Sequence, residues 1–310
     1  MIPLRILMIP SRRDFLIRSA LVTLSGGGLL ASGCGGGGGA TRYSYQGYTY
    51  QGSLLIADGP RWINYGPKGT LIVGEQWKRE IHILSQQGVI QRTIKVPGDA
   101  FQYPQECAVS PNGVLHVCDS TANVVRRYRL DGTELSPILS GFGNPTGIEI
   151  TKNGRIYTIG NLGDDRQRVT VSDLAGNITA RLLPPAGSAF NDARGITSDS
   201  YNNIYVADFL NARIVKYDAT GNHVLTISDV SAFGINVDFQ DSLVVTDFFN
   251  RRVRVYSGNG AILGEFASSE PGPGNFFEPS TALVMPNGLL YVSDFVINEV
   301  SIWKPALAQA

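Results

Sequence analysis

The residues in this chain best placed to do chemistry are suited to binding rather than to covalent catalysis. Arg61, Trp62, Gln105, Glu106, Arg194 and Phe233 combine two cations, one anion, an amide and two aromatic rings. Brought together, they would hold a polar organic ligand or a partner's loop. They supply no nucleophile with an adjacent base, and no catalytic residue is expected among them. The chain shows no nucleophile elbow, no Gly-rich phosphate loop and no cluster of Cys or His at metal-ligand spacing. No metal ligand is therefore expected, and no cofactor, although the arrangement leaves room for a divalent cation in a channel.

These six residues are far apart in the chain, so an element of long range must gather them. From residue 60 onward one unit recurs six times. With Trp62, Glu106, Gly147, Gly195, Gly234 and Thr281 as origins, successive units lie 44, 41, 48, 39 and 47 residues apart. Seven residues on stands a residue that tolerates positive φ: Gly69, Gly113, Gly154, Asn202, Asp241 and Gly288. A strand apolar on both faces follows each, as in Leu71-Ile72-Val73 or Ile204-Tyr205-Val206, so each must be covered on both sides. An acidic column comes next, with Glu75, Asp119, Asp208, Asp247 and Asp294 and, in the third unit, Gly160. Third and fourth strands complete the unit, although the third unit carries an insertion at 161–168. Four short strands per unit of this length predict an all-β, six-bladed β-propeller.

The sixth unit ends after its third strand. Gly52-Ser53-Leu54-Leu55-Ile56 is similar to other fourth strands, such as Gly260-Ala261-Ile262-Leu263-Gly264. The N-terminal segment is therefore expected to close the last blade, which removes two unpaired sheet edges.

The repeat also supplies a comparison for every unusual residue. Cys107 shares a column with Ile63, Ile148, Ile196 and Ile235 and is expected to be core; Cys118 occupies a small-residue column, with the pairing of the two left open. His116 stands where other units have Tyr157, Tyr205 and Tyr291. His82 lies on a third strand and His223 on a fourth, so the histidines do not converge. The column before the origin (Arg61, Gln105, Thr146, Arg194, Phe233, Ser280) has no common type, as expected of side chains at a channel mouth. Trp62 and Glu106 place large groups where three units have Gly, which adds them to the ligand-binding candidates.

The N-terminus reads as processing signals. Ser11-Arg12-Arg13-Asp14-Phe15-Leu16 resembles a twin-arginine export signal, and the apolar stretch 20–30, diluted by glycine, is short for a membrane span. Leu30-Ala31-Ser32-Gly33-Cys34 resembles a lipobox, which implies lipidation at Cys34, followed by a flexible Gly35–Gly39 leash. The domains expected are a signal at 1–34, a Gly-rich linker at 35–42, the propeller at 43–304 and a tail at 305–310. This places the protein at the bacterial cell envelope, exported and anchored to a membrane by lipid.

The stretches from Asn202 to Ile214 and from Asp247 to Val253 resemble NHL repeats, and the likeness extends over 43–304. It implies a TolB-like six-bladed ring in which Asp208 with Arg213, and Asp247 with Arg252, are structural ion pairs. Such rings commonly act as rigid platforms, so the expected function is non-enzymatic binding or scaffolding, with an envelope protein or small polar ligand at the channel mouth. A second resemblance, of Asp58-Gly59-Pro60-Arg61-Trp62 to the opening of the gluconolactonase and regucalcin family, implies a metal-dependent hydrolase with Asp58 as a ligand. Thr146, Arg194 and Phe233 replace the Asn and Asp ligands that family would supply, and an arginine there repels a cation. Basic and acidic residues balance at 26 each, so nothing draws a polyanion, and nucleic acid is excluded as a partner. A monomer is expected.

Overall fold

The computed structural model describes residue 45 and residues 48–55, 59–95, 103–139, 142–161, 167–267 and 274–305. The chain divides into two units, Met1–Thr41 and Arg42–Ala310, of which the second contains all the described residues. Arg12, Arg13 and Cys34 of the export and lipidation signals lie outside the described residues, as does Asp58.

The second unit is a six-bladed β-propeller. Its six antiparallel sheets have four strands each. The inner strands are Pro60–Tyr65, Pro104–Val109, Gly143–Ile150, Ala193–Ser198, Ala232–Val237 and Pro279–Val284. Each inner strand turns back into a second strand, and all six residues of the turn column carry positive φ, from 58° at Asp241 to 80° at Gly288. A residue in that conformation reverses a hairpin without splaying its strands. The second strands are buried along their whole length in blades one, four, five and six. Adjacent blades share apolar clusters, such as the one joining Trp62, Ile72 and Ile81 to Cys107, Leu115 and Val117.

The sixth sheet is completed from the other end of the chain. Thr49–Leu55 pairs antiparallel with Glu299–Lys304, with Thr49 opposite Lys304 and Leu54 opposite Val300. Tyr45 adds a second tie: its hydroxyl donates to Asp238, in the inner hairpin of blade five.

Polar side chains stitch the inner strands into the ring. Asn64 Nδ2 donates to the Cys107 carbonyl at 2.7 Å, Thr146 Oγ1 to the Ala193 carbonyl at 2.9 Å, and Asn236 Nδ2 to the Ala282 carbonyl at 2.9 Å. Ser198 donates to Glu149 Oε1 at 2.5 Å, and Tyr65 Oη to the Val284 carbonyl at 2.8 Å. Each bond satisfies a polar atom that water reaches poorly.

Two cysteines that neighbour each other in one hairpin face different seams. Cys107 packs into the cluster between blades one and two, and Cys118 into that between blades two and three. Both are buried free thiols, with pKa values raised by burial. His116 is also buried; its Nδ1 meets the Val114 carbonyl at 3.1 Å, and burial lowers its pKa to about 4.

Candidate functional site

At the end of the ring where the inner strands begin, a cavity of about 340 Å³ opens to solvent. It is lined by Arg61, Tyr103, Gln105, Ser120, Thr121, Asn144, Thr146, Asp192 and Arg194. Three of the six expected ligand-binding residues, Arg61, Gln105 and Arg194, are in this wall. They converge because the inner strands all start at the same end of the ring, so the residues before the origin face a common mouth.

Phe233 joins them from blade five. The Arg61 guanidinium lies 4.8 Å from the Phe233 ring centre and 5.0 Å from that of Phe295; Arg194 lies 5.3 Å from Phe233. Aromatic faces attract cations, and here they fix two guanidiniums without using their N–H groups. Arg194 Nη2 also pairs with Asp192 Oδ2 at 2.8 Å. Arg61 has no hydrogen bond or ion pair among the described residues, and its Nε is buried without a partner. Burial draws the Arg61 pKa down to about 10; Arg194 adds to the effect, and Tyr103 opposes it.

Aromatic rings continue outward from Phe233. It stacks on Phe248 with centroids 5.2 Å apart, while Phe209 stacks on Phe249 at 5.1 Å. Across the mouth Trp77 leans on Phe295 at 5.5 Å. These rings come from the turns between second and third strands, as in Phe209–Asn211 of blade four. Phe249 and Trp77 are each 62% exposed, so the mouth has a polar, cationic part beside an aromatic rim.

Two expectations need correcting. Trp62 does not face the mouth: it is 3% exposed and packed in the seam between blades one and two. Gly74, its partner across the hairpin, makes room, since a Cβ there would stand 2.0 Å from the indole. Glu106 is likewise absent from the cavity wall. Its Oε2 accepts from the Ile148 N–H at 3.2 Å, in the seam between blades two and three, and burial raises its pKa well above the ordinary carboxylate value. Glu106 therefore acts in the stitching of the ring.

The structural pairs named from the sequence are close. Arg213 Nε lies 2.7 Å from Asp208 Oδ2, and Arg252 Nε lies 2.7 Å from Asp247 Oδ2. Arg126 Nε lies 2.8 Å from Asp119 Oδ2 in blade two, from a position two residues further along its strand. Tyr103, Asn144 and Asp192 of the cavity were not foreseen, because they lie outside the columns on which the repeat can be aligned.

No family model and no curated protein sequence matches the chain. Among solved structures it is similar to a streptogramin B lyase, with a TM-score of 0.62 and 17% identity over 86% of this chain and 100% of that one. A virginiamycin B lyase from Staphylococcus aureus crystallised with quinupristin gives 0.61 and 17%, covering 85% of this chain and 89% of that one. A nidogen/laminin complex gives 0.56 and 16%, covering 66% and 78%. At this identity the likeness shows the fold alone.

Proposed function

We propose that this propeller is a binding module, anchored at the cell envelope, whose channel mouth takes an anionic organic ligand. The observation that carries the reading is the Arg61 guanidinium, held between two aromatic rings with no anion of its own among the described residues. A second guanidinium beside it makes the mouth a place where a carboxylate or phosphate replaces lost solvation. The aromatic rim gives the apolar part of such a ligand a surface on which to lie. Nothing in the cavity wall pairs a nucleophile with a base, so the wall is suited to recognition rather than turnover.

The lyase resemblance supports no catalytic reading of this mouth. The solved virginiamycin B lyase is a catalytically inactive histidine-to-alanine variant. Here His82, His116 and His223 all lie away from the cavity wall. The hydrolase reading relied on Asp58, outside the described residues, and on inner-strand ligands whose places are taken by Thr146, Arg194 and Phe233.

Calorimetric titration of the full chain with phenyl phosphate and with inorganic phosphate tests the proposal. The expected result is tighter binding of phenyl phosphate and a loss of about 10-fold or more in Arg61→Ala, as for removal of a charge-assisted hydrogen bond. No binding by wild type, or equal binding by a folded Arg61→Ala, would overturn it.

A further inference from the structure

The same hairpin position has different chemistry in blade one. In blades four and five the acidic column faces an arginine directly across the hairpin: Asp208 opposite Arg213, Asp247 opposite Arg252. Blades two and five place Arg126 and Arg254 two residues further on. In blade one both arginine positions are changed. Glu75, ending the strand Leu71–Glu75, stands opposite Glu80, which begins the strand Glu80–Leu84. His82 follows two residues later, on the same face as Glu80. Two carboxylates and an imidazole thus occupy a place that elsewhere holds an Asp-Arg brace.

The geometry points to a divalent metal site, zinc by its donor set, formed by Glu75, Glu80 and His82. Their donor atoms all lie within 4.8 Å of one another. His82 Nε2 is 3.4 Å from Glu75 Oε1 and 3.7 Å from Glu80 Oε2. Those separations are too long for N–H···O bonds from an imidazolium, which run to about 3.2 Å. They approach the spacing of neighbouring donors around tetrahedral zinc, about 3.4 Å for bonds of about 2.1 Å.

The surroundings orient the donors. Thr93 Oγ1 lies 2.9 Å from His82 Nδ1, which fixes the ring with Nε2 directed between the two carboxylates. Lys95 Nζ holds the other oxygen of Glu80 at 2.7 Å. Lys78 Nζ stands 3.5 Å from Glu75 Oε2, an oxygen that is buried without a hydrogen bond. The Glu75 and His82 side chains are 2% and 6% exposed, so water reaches the pair poorly. Blade six also lacks an arginine, with Glu299 opposite Asp294 and Ser301 in place of His82. There, however, Asp294 accepts from the N–H groups of Phe277, Glu278, Val296 and Ile297, so its charge is met by the backbone. With three protein donors the metal keeps one position for water, and it would clip the second and third strands of blade one as the guanidinium does in its neighbours. The site opens at the same end of the ring as the mouth, since Glu75 is paired with Pro60, next to Arg61.

The test strips the full chain with a chelator, dialyses it against micromolar zinc and counts bound metal, with cobalt absorption in the visible as a report on tetrahedral coordination. Expected are one zinc per chain in wild type, a rise in Tm of several degrees on zinc addition, and loss of both in His82→Arg. That variant restores the arginine of blades two and five, so it is expected to fold; Glu80→Gln is a second variant with the same expected loss. A folded wild type that retains no zinc, or His82→Arg and Glu80→Gln that retain it in full, would overturn the assignment.

Discussion

Blades four and one are built on the same register, yet they meet two requirements by opposite means. In blade four a backbone close to its neighbour is allowed by Gly195 at the origin, with Ala207 twelve residues on. In blade one Trp62 fills the origin, and Gly74 recedes opposite it. Blade four braces its outer hairpin with Asp208 and Arg213, whereas blade one has Glu75, Glu80 and His82. The difference teaches that a column in this repeat conserves occupied volume and balanced charge, and not residue type. A departure in one column is a reason to examine the column across the hairpin.

The largest expected effect is at the brace of blade four. Asp208 is fully buried and accepts from Arg213, Asn211 and the Asn191 N–H. Asp208→Ala should cost about 3–5 kcal/mol in urea unfolding, because it leaves Arg213 unpaired beside the core. A loss under 1 kcal/mol would remove the basis for treating that pair as structural. Next is the packing exchange. Gly74→Ala should destabilise by about 1–3 kcal/mol, because the new methyl group meets the Trp62 ring. The reverse change in blade four, Ala207→Gly, should cost about 1 kcal/mol, and equal costs at the two positions would contradict the exchange.

Two buried groups then give opposite pH dependences. Burial raises the Glu149 pKa to about 7, so the folded state holds a proton that the unfolded state has lost, and stability falls as pH rises from about 4.5 to 7. Glu149→Gln should therefore gain on the order of 2 kcal/mol over wild type at pH 8 and nothing at pH 4. His116, lowered to about 4, acts in the other sense: the unfolded state takes up the proton first as pH falls below 6.5, and stability drops down to about pH 4. His116→Tyr, which copies the Tyr205 of blade four, should flatten that acid limb in thermal melts at stepped pH. Unchanged slopes in both variants would mean that neither group titrates as its burial implies. The smallest effect is at the mouth, where Arg61→Ala with Arg194→Ala should leave stability within about 1 kcal/mol, as for surface changes generally. A collapse of folding would make the arginines part of the frame.

The six units, their turns and the origin of the closing strand were legible because hairpin geometry imposes the same residue properties at the same offset in every blade. The mouth was legible only in part. Arg61, Gln105, Arg194 and Phe233 stand in a column whose lack of a common type marks it as free of packing constraints. Tyr103, Asn144 and Asp192 come from segments of varying length, where no offset carries over from one unit to another. Trp62 was misplaced although its signal was present: unit one alone joins a large residue at the origin to Gly twelve residues later. Glu75, Glu80 and His82 escaped for a related reason, since single columns do not show which residues meet across a hairpin.

The strand Thr49–Leu55 is made early in synthesis, and its partner Glu299–Lys304 emerges near the end. Nearly every residue of the domain must leave the ribosome before the last blade can acquire its fourth strand. Until then the ring is an open arc with two raw sheet edges, and the earliest residues must stay unattached and unaggregated. Maturation therefore waits on the completed polypeptide, a timetable that suits transport of cargo already folded in the cytoplasm, the route that the Arg12-Arg13 signal leads one to expect.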